Sequence, residues 1–115
     1  MDITRLGTTR RWSDQVIHQG IVYTVEVASS VDADVEIQTR EVLAQLAAGL
    51  EKAGSSKSRL LSVTIWLTDI DNLPVFNRIW DDWVPEGCAP SRACVQARLA
   101  HPGYLVEIQA TAAVG

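Results

Sequence analysis

Hydrophobic and polar positions fall along this chain in two periods, and each period names an element. "QVIHQGIVYTVEVA" clusters aliphatic and β-branched residues on both sides of Gln19 and Gly20, which predicts two short strands around a turn. From Asp34 to about Ala53, Val35, Val42, Leu43, Leu46, Leu50 and Ala53 recur at three- and four-residue steps, and Gly54 supplies a stop. That segment is an amphipathic helix. "SRLLSVTIWLTD" alternates, with Leu61, Val63, Ile65 and Leu67 on one side and Ser62, Thr64, Trp66 and Thr68 on the other, so a strand with one dry face follows. In "DNLPVFNRIWDDWV", Asp71 or Asn72 is positioned as an N-cap and Pro74 lies in the first turn. Leu73, Phe76, Ile79, Trp80 and Trp83 form one stripe of a second helix that ends before Pro85 and Gly87. Two strands close the chain, in "SRACVQARL" and "YLVEIQATAAV".

The order strand, strand, helix, strand, helix, strand, strand predicts an α+β domain: a single sheet with both helices packed on one face. With 115 residues the chain is long enough for one core, so residues 1–115 form a single domain. The face without helices is expected to carry Thr64, Trp66 and Thr68, then Arg92, Cys94 and Gln96, then Glu107 and Gln109. Such a row is too polar for a core and, at Trp66, too apolar for plain solvent. A closed homo-oligomer whose interface holds small polar pockets accounts for it.

Charge and composition narrow the function. A net charge of −4, with no basic run beyond Arg10 and Arg11, opposes nucleic-acid binding. No stretch approaches the roughly 18 consecutive apolar residues of a membrane span, and "MDITRLGTTRRW" has no secretory apolar core, so the expected location is cytoplasmic. Cys88 and Cys94 lie six apart without metal-spaced partners and read as reduced thiols. His18 and His101 read as surface or turn residues, and phosphate loops and nucleophile elbows are missing, so neither a metal nor a cofactor is expected.

Arg92 and Glu107 are the charges that interrupt otherwise orderly strands. If the last two strands formed a tight hairpin around His101 to Gly103, the pair would stand on the order of 15 Å apart along the sheet, too far for an ion pair. Either another strand intervenes, or each meets a partner across a subunit boundary. Arg92 fits a ligand carboxylate, whose planar geometry its donors match, and fits an interface ion pair as well. Glu107 fits either an interface acceptor or a general base whose pKa partial desolvation raises. Pattern alone leaves both open.

"APSRACVQARL" followed by "GYLVEIQATAAV" resembles the C-terminal signature of the Rid family, the YjgF-type or endoribonuclease L-PSP-type reactive intermediate deaminases. The likeness extends through the helix, strand and "N…W..W" helix between Glu36 and Gly87. It is strongest to the YoaB-like subgroup, which shares the "RWSD" opening and the "EGxAPxR" turn. The resemblance implies a chorismate-mutase-like fold, a homotrimer with clefts between subunits, and cofactor-free hydrolysis of enamine or imine intermediates such as 2-aminoacrylate to 2-oxo acids and ammonia. By the same resemblance Arg92 holds the substrate carboxylate, Glu107 orients or activates water, Cys94 lines the cleft, and Asn77 enters it from a neighbouring chain. The residue-level readings beside these are a small interface thiol for Cys94 and a helix-surface amide for Asn77. Trp12 stands where many members carry a tyrosine, and Glu26 where they commonly carry a glycine. These two changes near the cleft leave stacking without a phenolic contact and add a carboxylate that repels an anionic substrate. A trimer that binds a small carboxylate metabolite in a regulatory role, without turnover, is the alternative from a different class. Ribonuclease action is the weakest reading because of the negative charge.

Overall fold

The computed structural model describes residues 2–115. Among them the elements run β1 (Thr4–Leu6), β2 (Gln15–His18), β3 (Ile21–Val27), α1 (Val35–Lys52), β4 (Leu60–Leu67), α2 (Leu73–Trp83), β5 (Ser91–Gln96) and β6 (Val106–Ala113), with single 3-10 turns before β4 and before α2. Both helices and the β2–β3 hairpin lie where periodicity puts them. Gln19 (φ 51°) and Gly20 (φ 77°) both take the left-handed conformation that a two-residue hairpin turn requires. β1 is an addition: three mostly exposed residues that pair with β2 and carry no legible alternation.

The strands form one mixed sheet in the order β1-β2-β3-β6-β4-β5. β4 lies between the last two strands, antiparallel to β6 and parallel to β5, so no tight hairpin joins β5 to β6. Both helices cover the same face. Val42, Leu43, Leu46 and Leu50 of α1 and Phe76, Ile79 and Trp80 of α2 close a core over Val22, Val63, Ile65, Leu67, Ile108, Ala110 and Ala112. One alternation departs from expectation at the start of β4. The register against β6 shifts between Leu60 and Ser62, a bulge that turns Leu60 into the core (7% exposed) and leaves Leu61 out (46% exposed).

Polar anchors fix the ends of these layers. The Asp34 carboxylate caps α1 by accepting from Ile37 N at 2.9 Å. One turn later Gln38 is fully buried. Its Nε2 donates to Ala33 O (3.1 Å) and Gly103 O (2.9 Å), while its Oε1 accepts from Leu105 N (2.9 Å). A single side chain thereby ties the start of α1 to the loop that leads into β6. The loop is tight there: a Cβ on Gly103 would come within 2.7 Å of both Val31 Cβ and Val31 O. Gln38→Leu keeps the bulk but strands the Gly103 carbonyl and the Leu105 amide, so it is expected to cost about 2–6 kcal/mol at roughly 1–3 per orphaned group. Urea unfolding measures this; a change below about 0.5 kcal/mol would mean that water replaces the amide.

Candidate functional site

Register decides which side chains can meet. Arg92, Cys94 and Gln96 pair with Val63, Ile65 and Leu67, and paired residues share a face. Arg92, Cys94 and Gln96 therefore lie on the helix-covered side, not on the open face with Trp66 where their polar alternation puts them. The contacts agree: Arg92 Nη2 donates to Asn77 Oδ1 of α2 at 2.8 Å, and the Ile70 amide donates to Gln96 Oε1 at 2.8 Å. Glu107 pairs with Val27 on one side and Trp66 on the other, so it stands on the open face as expected. Arg92 and Glu107 are thus separated by β4, at roughly 10 Å across the sheet and about 10 Å along it, and they point to opposite faces. No single copy of this chain brings them together.

The Arg92 corner is built by α2. The guanidinium carbon sits 5.4 Å from the Trp80 ring centroid and 5.9 Å from that of Phe76, both of which are buried. Aromatic faces support the cation from behind, while Asn77 orients one end of the fork. The described ion pairs all involve Glu36, with Arg40 and Arg78, so Arg92 has no carboxylate partner within its own chain among the described residues. Beside it, burial raises the Cys94 thiol above its ordinary pKa, and the positive charge of Arg92 offsets only part of this. Cys94 is therefore a protonated, half-buried thiol beside Arg92, which fits a small packing residue better than a nucleophile.

Trp12 and Glu26 meet at the other end of β3. A cavity of about 460 Å³ is lined there by Trp12, Asp14, Val25, Glu26, Val27 and Tyr104, with Ser13 between the first two. A turn closed by Thr9, whose amide donates to Trp12 O at 2.7 Å, presents the Trp12 ring outward at 62% exposure. Gln45 of α1 donates to Val27 O (2.7 Å) and Glu26 Oε2 (3.3 Å), which fixes the Glu26 carboxylate at the rim of the core. Burial raises the Glu26 pKa, and the nearby Asp14 charge adds to the rise against the opposing Gln45 hydrogen bond. Glu107 pairs with Val27 on the open face, opposite to Glu26, which pairs with the core residue Ile108, and burial raises the Glu107 carboxyl above its ordinary value too. A carboxylate whose pKa is raised is a stronger base toward water than an ordinary one.

Sequence reasoning names Trp12, Glu26, Asn77, Arg92, Cys94 and Glu107. Arg92, Asn77 and Cys94 come together at the β5 margin and Trp12 and Glu26 at the cavity by the end of β3, whereas Glu107 stands on the open face of β6. It misses Tyr104 and Asp14 as cavity residues, although Asp14 closes the "RWSD" stretch and Tyr104 opens the final strand signature. It also misses Gln38 and Gln45, because a buried amide in a helix has the same sequence signal as an exposed one. His101 behaves as a turn residue, its Nδ1 accepting from the Gly103 amide at 2.8 Å. Among the described residues no three His, Cys, Asp or Glu side chains gather as a metal-ligand set, and no helix is long and apolar enough to cross a membrane.

Known proteins resemble the whole of this arrangement. The family model described as Endoribonuclease L-PSP matches residues 2–114. The RutC family protein YoaB of Escherichia coli is 47% identical over 114 residues, covering 99% of this chain and all of that protein. A crystal structure of a YjgF-family protein from Neisseria meningitidis superposes with a TM-score of 0.94 at 39% identity, covering all of this chain and 97% of the other. A Rid-family protein of Yersinia pestis gives a TM-score of 0.86 at 31% identity over 93% of this chain and 90% of the other.

The raised Glu26 pKa has a consequence for stability. The fold favours the protonated acid, so the stability tied to Glu26 is present below the unfolded pKa and is lost as pH rises through the higher folded value. Glu26→Gln removes that loss. Thermal unfolding of the two proteins is expected to diverge in favour of the variant as pH rises from about 4 to about 7; parallel profiles would mean that the carboxylate is well solvated.

Proposed function

Because the chain belongs to the endoribonuclease L-PSP family, the YjgF or Rid proteins, we propose that it hydrolyses small carboxylate-bearing imines and enamines, of the 2-aminoacrylate type, to 2-oxo acids and ammonia. The reaction takes place in clefts between the copies of a homotrimer. One observation carries this reading: Arg92 is held by Asn77 and two buried aromatic rings, with no carboxylate of its own chain to neutralise it. Such a guanidinium is prepared for an anion from outside. The open sheet face supports assembly, since Tyr23, Val25 and Val95 are 44%, 46% and 44% exposed around the half-buried Trp66, an apolar surface that a second copy would cover.

Chemistry in the cleft is modest. Arg92 of one copy binds the substrate carboxylate through paired N–H donors and fixes the imine carbon against the neighbouring copy. Glu107 of that neighbour accepts a proton from a water molecule as its oxygen bonds to the electrophilic carbon, and the C=N electron pair moves to nitrogen, which takes that proton from Glu107 to give a carbinolamine. Glu107 then accepts the hydroxyl proton as C=O forms and passes it to nitrogen as the C–N bond breaks, which releases ammonia and leaves the 2-oxo acid. Trp12 and Glu26 form one wall, and Cys94 and Asn77 the other. No cofactor takes part in these steps. A trimer that holds a carboxylate without turnover is the second reading. It is favoured by the absence, among the described residues, of a side-chain hydrogen bond that orients Glu107.

Light scattering is expected to return three times the 12.6 kDa chain mass; a monomer at micromolar concentration would remove the cleft. Added to an amino-acid oxidase or a serine dehydratase reaction, the protein is expected to speed 2-oxo acid formation beyond free hydrolysis. Arg92→Lys should abolish the effect with the fold intact, since a point charge does not reproduce the fork. Glu107→Gln should lower turnover by roughly 10²–10⁴ while binding of a stable carboxylate analogue persists. Binding that survives with no acceleration by the unmodified protein would instead support the regulatory reading.

A further inference from the structure

The two helices leave a groove between them that the proposed hydrolysis does not use. Arg40, Leu43 and Ala44 line it from α1, and Ile79, Asp82 and Trp83 from α2. Each helix contributes the same three- and four-residue steps, so one stripe of α1 faces one stripe of α2. Lys57, in the 3-10 turn before β4, adds a second cation. The groove holds about 310 Å³ over buried aliphatic residues, with Leu43 at 1% and Ile79 at 5% exposure. None of Trp12, Glu26, Asn77, Arg92, Cys94 and Glu107 borders it. The exposed Tyr23 and Val25 of the open face lie on the other side of the sheet from the helices.

Charges of both signs share this groove, and none neutralises another. Neither Arg40 nor Lys57 brings a nitrogen within 4.0 Å of an Asp82 oxygen. Arg40 reaches a carboxylate only at Glu36, at 4.0 Å, and Arg78 holds the other oxygen of that carboxylate at 2.6 Å. Lys57 has no carboxylate partner among the described residues; its ammonium lies 5.3 Å from the Trp83 ring centroid, so the ring keeps it at the groove wall. Asp82 has no ion-pair partner either. A plain anion in the groove would meet Asp82, and a plain cation would meet Arg40 and Lys57. A molecule that carries both charges on one carbon finds a partner for each.

We infer that the groove between α1 and α2 binds a free α-amino acid with an apolar side chain, its carboxylate toward Arg40 and Lys57, its ammonium toward Asp82, and its side chain along Ala44 and Ile79. The volume of about 310 Å³ lies at the lower end of the range of small-molecule sites, which suits a ligand of this size. Arg40 and Asp82 are exposed, so each charge contact is screened and contributes modestly, and the affinity is in the millimolar range. The site goes beyond the proposed hydrolysis and stands without it, because it shares no residue with the cleft.

Calorimetric titration at low salt tests it with L-leucine and L-phenylalanine, and with 4-methylpentanoate and 3-methylbutylamine, each of which lacks one of the two charged groups of leucine. The titrations are made in the unmodified protein and in the Arg92→Lys chain, so that a carboxylate held in the cleft is told apart from one held in the groove. At least one of the two amino acids is expected to bind saturably at about 1 mM, equally in both chains, and the single-charge analogues at least about fivefold more weakly in the Arg92→Lys chain. Asp82→Asn, at an exposed position where folding is not at stake, and Lys57→Met should each weaken the amino acid about fivefold. No saturable binding of either amino acid up to roughly 20 mM, analogues that bind as well as leucine, or an affinity lost in Arg92→Lys but kept in Asp82→Asn and Lys57→Met would overturn the assignment. The titration contains no turnover, so a protein inactive on imines can still pass and an active one can still fail.

Discussion

The insertion of β4 between β5 and β6 is the constraint on which the rest of this molecule depends. It makes β5 an edge strand with one neighbour, and because β4 and β5 run parallel, Arg92 shares a face with Val63 and the helices. It also makes Glu107 the neighbour of Trp66 on the opposite face. Side chains alternate strictly along a strand, so no rotamer change brings the two together. That separation puts a guanidinium on the helix-covered side at the β5 edge and Glu107 on the open face of β6, so a site that used both would need a second copy to supply one of them.

Charge pairing inside one copy reinforces the division. Glu36 satisfies both Arg40 and Arg78, whereas Arg92, Asp14, Glu26 and Glu107 have no ion-pair partners among the described residues. Unpaired charges on a half-buried surface cost stability in an isolated chain. An assembly that brought opposite potentials of neighbouring copies together across a boundary would offset that cost. The exposed Tyr23, Val25 and Val95 on the open face lie on the surface that such an assembly would bury.

Much of this was legible in the sequence, for physical reasons that can be named. Both helices show because a buried stripe demands three- and four-residue spacing, as in Leu43, Leu46 and Leu50 or Phe76, Ile79 and Trp80. Of the residues singled out from the sequence, Trp12 and Glu26 line the cavity, Arg92 and Asn77 meet beside β5, and Glu107 stands on β6. What alternation could not give was the face of Arg92, since that depends on which strand lies next to β5 and not on the order of residues within it. The bulge at Leu61 was hidden for a related reason: two consecutive leucines fit a strand equally well in either register. Gln38, which fixes the loop before β6, and Tyr104, which that loop presents to the cavity, gave no local signal because their partners lie far away in sequence.

A site shared between copies makes a demand that a site within one copy does not. Arg92→Lys and Glu107→Gln chains, each inactive alone, can be unfolded together in equal amounts and refolded as mixed assemblies. In a trimer with shared clefts, about a quarter of the clefts then combine an intact Arg92 with an intact Glu107, so imine hydrolysis is expected to return to roughly a quarter of the unmodified rate. Mixed assemblies that stay as inactive as their parents would contradict a cleft built from Arg92 of one copy and Glu107 of the next.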